Sequence, residues 1–517
     1  MTLPRRAFFP LSLLVCLLFC SAPSGLAARP NIVIVLADDL GWGDAHCLNA
    51  QGQIVTPHLD RLATQGMLFT DAHSGSAVCS PTRYGLLTGR YAWRTTLASG
   101  VLNGYSPRLI EPGRLTLPQL LKNQGYRTAG IGKWHLGLDW QLKEGGIAHG
   151  DKDAWKVDYA RPYTNGPNSV GFDEFFGISA SLDMPPYVFL ENDHATEIPT
   201  AQKKWLRSGP AAKDFEALDV LPRLTERAVA FIEHQAPRSR AGTPFFLYLA
   251  FSAPHTPIVP TRPWQDRSRI NPYADFVIQT DAAVGQVIDA LERNGLAGDT
   301  LLFVTSDNGC SPMADLATLK AHGHDPSAGF RGYKADIHEG GHRIPLLARW
   351  PGHVRPGTSS DQLVGLTDLM ATCAGAVGAE LPDDAAEDSV SFLPVLEGRQ
   401  GGHLRESLVH HSINGSFALR QGRWKLALCP GSGGWSFPRP GVDDVSGLPD
   451  VQLFDLTADR AETTNVQADH PDVVARLSAV LDDLVARGRS TPGSARANAR
   501  KIDVREGIKL ARRRPRK

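Results

Sequence analysis

Two oxygen-bearing pairs, Asp38-Asp39 and Asp307-Asn308, each follow a short apolar, β-rich run, at residues 32–36 and 301–305. Together they offer an all-oxygen donor set, which suits a hard cation such as calcium or magnesium better than zinc. Singly, an acidic pair after a strand serves as often as a turn or a helix cap. Two further β-rich runs, 127–131 and 245–251, lead into Lys133 with His135 and into His255. Histidine titrates near neutral pH, so it can give and take protons there. Pro81 suits the first turn of a helix running to Thr88. Cys79 then stands at that helix's N-terminus, where free N–H groups favour an anion. A buried structural cysteine is the plainer alternative.

Elements must bring these residues together. Helical patterns at 56–65, 117–124, 224–235 and 274–294 alternate with the four apolar runs. That alternation predicts an α/β fold, with a parallel or mostly parallel sheet covered by helices on both faces. In such sheets ligands bind outside the carboxyl ends of the strands, so four loaded strand ends can share one crevice. The helical pattern at 367–379 and the segment 389–398 close this large unit, taken as residues 29–403. Runs at 416–428 and 451–456, a Gly-rich loop at 431–435 and a helix at 471–487 predict a small antiparallel α+β unit over 404–489. Residues 490–517 are polar and basic and read as a disordered tail.

Composition narrows the function classes. The 517 residues carry 54 Lys plus Arg against 54 Asp plus Glu, so overall charge points to neither nucleic acid nor a membrane surface. Arg5-Arg6, the apolar run 7–20 and small residues to Ala28 read as a secretory signal peptide over residues 1–28. The arginines have a weak twin-arginine look. No later segment is long and apolar enough to span a bilayer. The reading is an exported protein, periplasmic or extracellular, or lysosomal if the source is eukaryotic. Cys47, Cys79, Cys310, Cys373 and Cys429 remain, too scattered for a disulfide framework or a zinc site.

Cys79-Ser80-Pro81-Thr82-Arg83, running into Leu87-Thr88-Gly89-Arg90, resembles the type I sulfatase signature. Gly132-Lys133-Trp134-His135-Leu136-Gly137, Pro254-His255-Thr256-Pro257 and Glu339-Gly340-Gly341-His342-Arg343 match further elements of that family, and the likeness spans about 30–465. It implies an alkaline phosphatase-like fold, in the arylsulfatase A and N-acetylgalactosamine-6-sulfatase branch. It also implies that Cys79 is oxidised to formylglycine by a maturation enzyme, and that the hydrated aldehyde attacks the sulfur of a sulfate ester. Asp38, Asp39, Asp307 and Asn308, with residue 79, would hold calcium, or magnesium in its place. Arg83 would hold the formylglycine and a metal ligand, and Lys133 and Lys334 the sulfate. His255 would protonate the leaving oxygen, and His135 would take the proton that releases sulfate. Ser181, with Ser179 as its rival, would touch sulfate, and His322, His324 and Asp325 would reach a sugar. Trp42, Trp134, Tyr187 and Trp435 offer stacking surfaces or core packing. The substrate implied is a sulfated carbohydrate, such as a glycosaminoglycan N-acetylgalactosamine sulfate, or an aryl sulfate. A phosphatase or phosphodiesterase of the same superfamily, and a silent binder of sulfated glycans, stand as alternatives.

Overall fold

A computed structural model describes residues 2–4, 29–399 and 403–512. The signal-peptide reading rests on residues 5–28, outside the described residues.

Strand β1 (Asn31–Asp38) is buried along its whole length. A strand buried on both faces needs cover on both sides. The other strands of its sheet are β2 (Met67–Phe69), β3 (Arg127–Lys133), β4 (Glu174–Ile178), β5 (Leu190–Glu191), β6 (His194–Ala195), β7 (Phe245–Pro254), β8 (Thr300–Ser306), β9 (Leu346–Arg349) and β10 (Thr358–Ser360). They run in the order β10-β2-β9-β8-β1-β7-β3-β4-β5-β6. The centre is parallel: β1 pairs with both β7 and β8, β7 with β3, and β3 with β4. Strand β9 runs antiparallel to β8 and β2, and β5 antiparallel to β4 and β6. The sheet is therefore mixed but mostly parallel, and the four strands predicted from sequence form its middle. Their register shifts between Leu36 and Asp38 of β1 opposite β7, just where the chain leaves the sheet.

Helices α1 (Pro57–Gln65), α2 (Cys79–Thr88), α3 (Leu117–Asn123), α4 (Val220–Arg240) and α5 (Pro272–Arg293) cover this sheet. Beside it lies a second, antiparallel sheet of Ser407–His411, Phe417–Gln421, Trp424–Ala427 and Gln452–Asp455, backed by the helix Pro471–Arg487. Leu477 and Leu481 of that helix pack in one buried cluster with Leu408, Leu419 and Leu453.

The expectation of disorder from residue 490 onward fails for the described residues. The Ala499 amide donates to the Arg94 carbonyl, and a short helix, Glu506–Ala511, buries Ala511. The segment's arginines find carboxylates far away in sequence: Arg496 reaches Asp383 at 2.6 Å and Arg512 reaches Asp450 at 2.7 Å. Composition shows the charges but not these partners. All five cysteines among the described residues are free.

Candidate active site

Asp38 ends β1, and Asp39 follows with φ 67°, in the left-handed region that aspartate enters more readily than most residues. The adjacent β8 delivers Asp307 and Asn308. The Asn308 side-chain amide donates to Asp39 Oδ1 at 2.7 Å, and the Asp39 amide donates to Asp307 Oδ1 at 3.3 Å. Strand β3 ends in Lys133, whose Nζ donates to Asp38 Oδ2 at 2.7 Å and to Ser181 Oγ at 3.2 Å. Strand β7 leads to His255, with Nε2 3.7 Å from Asp39 Oδ2.

Helix α2 begins at Cys79 and is buried throughout. Arg83 lies one helical turn on, on the face shared with Cys79. Its Nε and Nη2 donate to Asp307 Oδ2 at 3.1 and 2.7 Å, and its Nη1 donates to the Lys133 carbonyl at 3.1 Å. Lys334 closes the ring from the other side, with Nζ 2.7 Å from Asp39 Oδ1.

Charge in this ring is out of reach of water. Burial alone would raise Asp38, but Lys133, His255, Arg83 and Lys334 outweigh it and hold its carboxyl well below the usual range. Asp307 is pushed up, by burial and then by Asp38 beside it. Two carboxylates this close resist joint ionisation unless more positive charge arrives. Burial pushes the Cys79 thiol up to about 11, against the pull of Lys133 and Lys334. A thiol that stays protonated at neutral pH is a weak nucleophile, so the unmodified side chain is ill suited to attack.

The two histidines differ in which nitrogen is free. His135 has φ 57°, and its Nε2 donates to the Leu102 carbonyl at 2.7 Å. Its Nδ1 is buried without a partner. Burial, then Lys133 and Arg83, holds the ring well below the ordinary histidine range, so Nδ1 carries a free lone pair. His255 donates from Nδ1 to the Thr256 carbonyl, leaving Nε2 towards Asp39. Burial and Lys334 lower it, while Asp39 and Asp38 oppose them.

Two oxygens of the ring, Asp38 Oδ1 and Asn308 Oδ1, are buried with no hydrogen-bond partner. Buried acceptors are rarely left this way without an ion or water. Asp38, Asp39, Cys79 and His255 each offer a ligand atom, all within 4.8 Å of one another. With Asp307 and Asn308 beside Asp39, the set becomes mostly oxygen and fits a hard divalent cation.

Sequence-predicted residues thus meet at one place: Asp38, Asp39, Cys79, Arg83, Lys133, Ser181, His255, Asp307, Asn308 and Lys334. Ser181 rather than Ser179 contacts Lys133, while the Ser179 carbonyl accepts from the His135 amide. His322 is exposed at the end of a short helix, donating from Nδ1 to the Thr318 carbonyl. The expectation for His324 is corrected. His324 is buried, with Nε2 2.8 Å from Asp44 Oδ1 and Nδ1 accepting from the Gln53 amide, so neither ring nitrogen is left for a sugar. Asp325 accepts from the Ser327 and Gly329 amides within its own turn. Trp134 and Tyr187 are core residues, whereas Trp435 is 45% exposed. Asp44, Tyr273 and Ser306, which hold the Asp39 turn, went unpredicted. Asp44 and Ser306 lie close in sequence to the acidic pairs, but nothing there marked their partners.

The Sulfatase family model matches residues 30–379. An N-acetylgalactosamine-6-O-sulfatase of Bacteroides thetaiotaomicron is 33% identical over 89% of this chain and 94% of its own. Arylsulfatase A of Bos taurus is 35% identical over 78% of this chain and 76% of its own. A solved structure connected with the metabolism of multiple glycosaminoglycans by Bacteroides thetaiotaomicron superposes with a TM-score of 0.76 at 30% identity, covering 89% of this chain and 99% of that one. With this likeness and with Cys79 seated among two lysines and a carboxylate ring, the chain belongs to the sulfatase family, as a sulfuric ester hydrolase of the arylsulfatase A and N-acetylgalactosamine-6-sulfatase-like branch.

Proposed function

We propose that the exported enzyme removes sulfate from sulfated carbohydrates, 6-sulfated N-acetylgalactosamine units foremost, after a maturation enzyme has converted Cys79 to formylglycine. The similarity to an N-acetylgalactosamine-6-O-sulfatase supports the sugar. The observation that carries the reading is the pairing of Cys79, at a helix start, with two unpartnered buried oxygens, Asp38 Oδ1 and Asn308 Oδ1.

Asp38, Asp39, Asp307 and Asn308 would hold calcium, or magnesium in its place. Bound there, the cation supplies positive charge against sulfate oxygens, and hydrated formylglycine supplies the attacking hydroxyl. The rest falls to the chain's own side chains. Lys133 and Lys334 point buried ammonium groups at the same ring and neutralise charge that grows on sulfate in the transition state. Arg83 fixes Asp307 and, through the Lys133 carbonyl, ties α2 to the end of β3. Ser181 keeps Lys133 and His255 in register. With Nδ1–H fixed on the Thr256 carbonyl, His255 would give the departing ester oxygen a proton from Nε2 only in its doubly protonated form, which burial opposes and Asp39 and Asp38 favour, and His135 would take a proton at Nδ1 in the step that frees sulfate.

Activity on 6-sulfated N-acetylgalactosamine should vanish with a chelator and return with calcium or magnesium. Faster cleavage of a phosphate monoester, or recovery with zinc well beyond that with calcium, would overturn the reading.

A further inference from the structure

Asp39 holds a left-handed backbone, a conformation that costs on the order of 1 kcal/mol and persists only when its surroundings enforce it. The enforcement lies in the next five residues. The Leu40 amide donates to Ser306 Oγ at 3.0 Å, and that hydroxyl donates in turn to the Asn308 carbonyl at 2.9 Å. The Gly41 amide donates to Asp44 Oδ2 at 2.8 Å, closing the turn. Tyr273, from α5, sets its hydroxyl 2.5 Å from Asp44 Oδ2 and 3.1 Å from the Asp39 carbonyl.

Asp44 Oδ1 accepts from His324 Nε2 at 2.8 Å, and the Gln53 amide donating to Nδ1 fixes that tautomer. The Gly43 amide donates to the Pro326 carbonyl at 2.8 Å, and a side chain on Gly41 would run into the same carbonyl oxygen. Asp44, Tyr273 and His324 are all buried. Two distant pieces of chain, at Tyr273 and His324, therefore converge with the local Gly41 amide on one fully buried carboxylate, which makes no hydrogen bond to a catalytic side chain.

We infer that Asp44, clamped by His324 and Tyr273, is a positioning residue for the cation site, holding the turn that aims the Asp39 carboxylate at Asn308 and Lys334. The inference rests on the cation reading above and assigns to His324 a task remote from substrate. Groups that orient metal ligands typically matter by about 10–100-fold in metal affinity.

The test uses the full-length matured enzyme and Asp44→Asn, His324→Ala, His324→Gln and Tyr273→Phe. Two quantities are read: the calcium concentration that half-restores nitrophenyl sulfate cleavage after chelation, and the calcium-induced rise in Tm. In Asp44→Asn and His324→Ala both midpoints should move to about 10–100-fold higher calcium, with kcat at saturating calcium close to wild type. His324→Gln, whose amide can still donate to Asp44, should recover most of the shift. Tyr273→Phe removes one hydroxyl and remains readable if a larger change prevents folding. Variants that lower the Tm of the calcium-free protein but leave both calcium midpoints unchanged would reduce Asp44 to a fold residue. If wild-type enzyme itself showed no calcium-dependent Tm rise and no chelator effect, the cation reading would fall first and take this inference with it.

Discussion

Around Asp38 and around Glu339 the chain buries ionisable side chains equally deeply, yet the two clusters end differently. Glu339 accepts from Arg343 at 3.1 Å and from Lys425 at 3.1 Å. Lys425 also donates to His342 Nε2 at 2.9 Å, His342 Nδ1 meets His73 Nδ1 at 3.1 Å, and His73 Nε2 donates to Asp71 at 2.8 Å. That chain runs from cation to anion with each link satisfied. It joins the helical turn Glu339–His342 to the strand Trp424–Ala427 of the small sheet, so its work is to bind the two units. His73, His342 and His410 lie close enough to suggest a metal, but the rings of His342 and His410 stack 3.7 Å apart at 12°. Their in-plane lone pairs cannot converge on one ion. Around Asp38, by contrast, two acceptor oxygens, Asp38 Oδ1 and Asn308 Oδ1, make no hydrogen bond, with Arg83 Nη2 held off at 3.6 Å from Asp38 Oδ1. At the joint the unpaired atoms are nitrogens, His410 Nε2 and Arg420 Nη1, while Glu462 Oε1 has the Lys425 ammonium at 2.9 Å, so what separates the site is unpaired oxygen acceptors beside Cys79, not the density of buried charge.

The contrast breaks most visibly at Cys79. Cys79→Ala should bring aryl sulfate turnover down to the uncatalysed background while Tm barely moves, because one small side chain is lost at a helix start. Next come the histidines. His255→Ala should lose about 10²–10⁴-fold in rate, more on sugar sulfates than on nitrophenyl sulfate, whose leaving group needs no proton. His135→Ala should instead give one turnover per chain and then stall with sulfate retained. Equal losses on both substrates for His255→Ala, with continuous turnover in His135→Ala, would mean the roles are misassigned.

Lys425→Met should do the reverse of Cys79→Ala. It removes the cation that Glu462 and Glu339 share, leaving Glu339 to Arg343 alone at hydrogen-bond distance, and should remove about 3–5 kcal/mol from stability in denaturant titration. The KM and kcat of the folded fraction should hold. A fall in kcat without loss of stability would move this cluster into the active site. The smallest effect is with pH. Burial holds His73, His342 and His410 below the ordinary histidine range, despite Glu339 and Asp71 nearby and reinforced by Lys425 and Arg343. The unfolded chain therefore takes up protons first. Stability is fully present above about pH 6.5 and declines as pH falls towards the folded values. A Tm that stays flat from pH 7 to 5 would contradict these depressed values.

Legibility in the sequence followed the range of the interaction. β1 (Asn31–Asp38), β3 (Arg127–Lys133), β7 (Phe245–Pro254) and β8 (Thr300–Ser306) were readable because each is a local apolar run that ends at once in a chemical group. The signature at Cys79 was readable because its helix start and Arg83 lie within one turn. His324 was misread because its partner Asp44 is 280 residues away, and a histidine beside a lysine-bearing loop looks the same whether it faces solvent or a carboxylate. The stretch after residue 490 was misread for a similar reason: its order depends on Asp383, Arg94 and Asp450, none of them near in sequence. Of the Glu339 cluster only the run Glu339–Arg343 stood in a matched motif; its partners Asp71, His73, His410, Lys425 and Glu462 come from distant segments and left no pattern.

The most direct test of the account is the mass of the peptide spanning Cys79-Ser80-Pro81-Thr82-Arg83, taken from enzyme of known specific activity after expression with and without a formylglycine-generating partner. The account predicts an aldehyde in place of the thiol, in a fraction that rises in proportion to sulfatase activity. Full activity from protein whose residue 79 is wholly unmodified cysteine would contradict it.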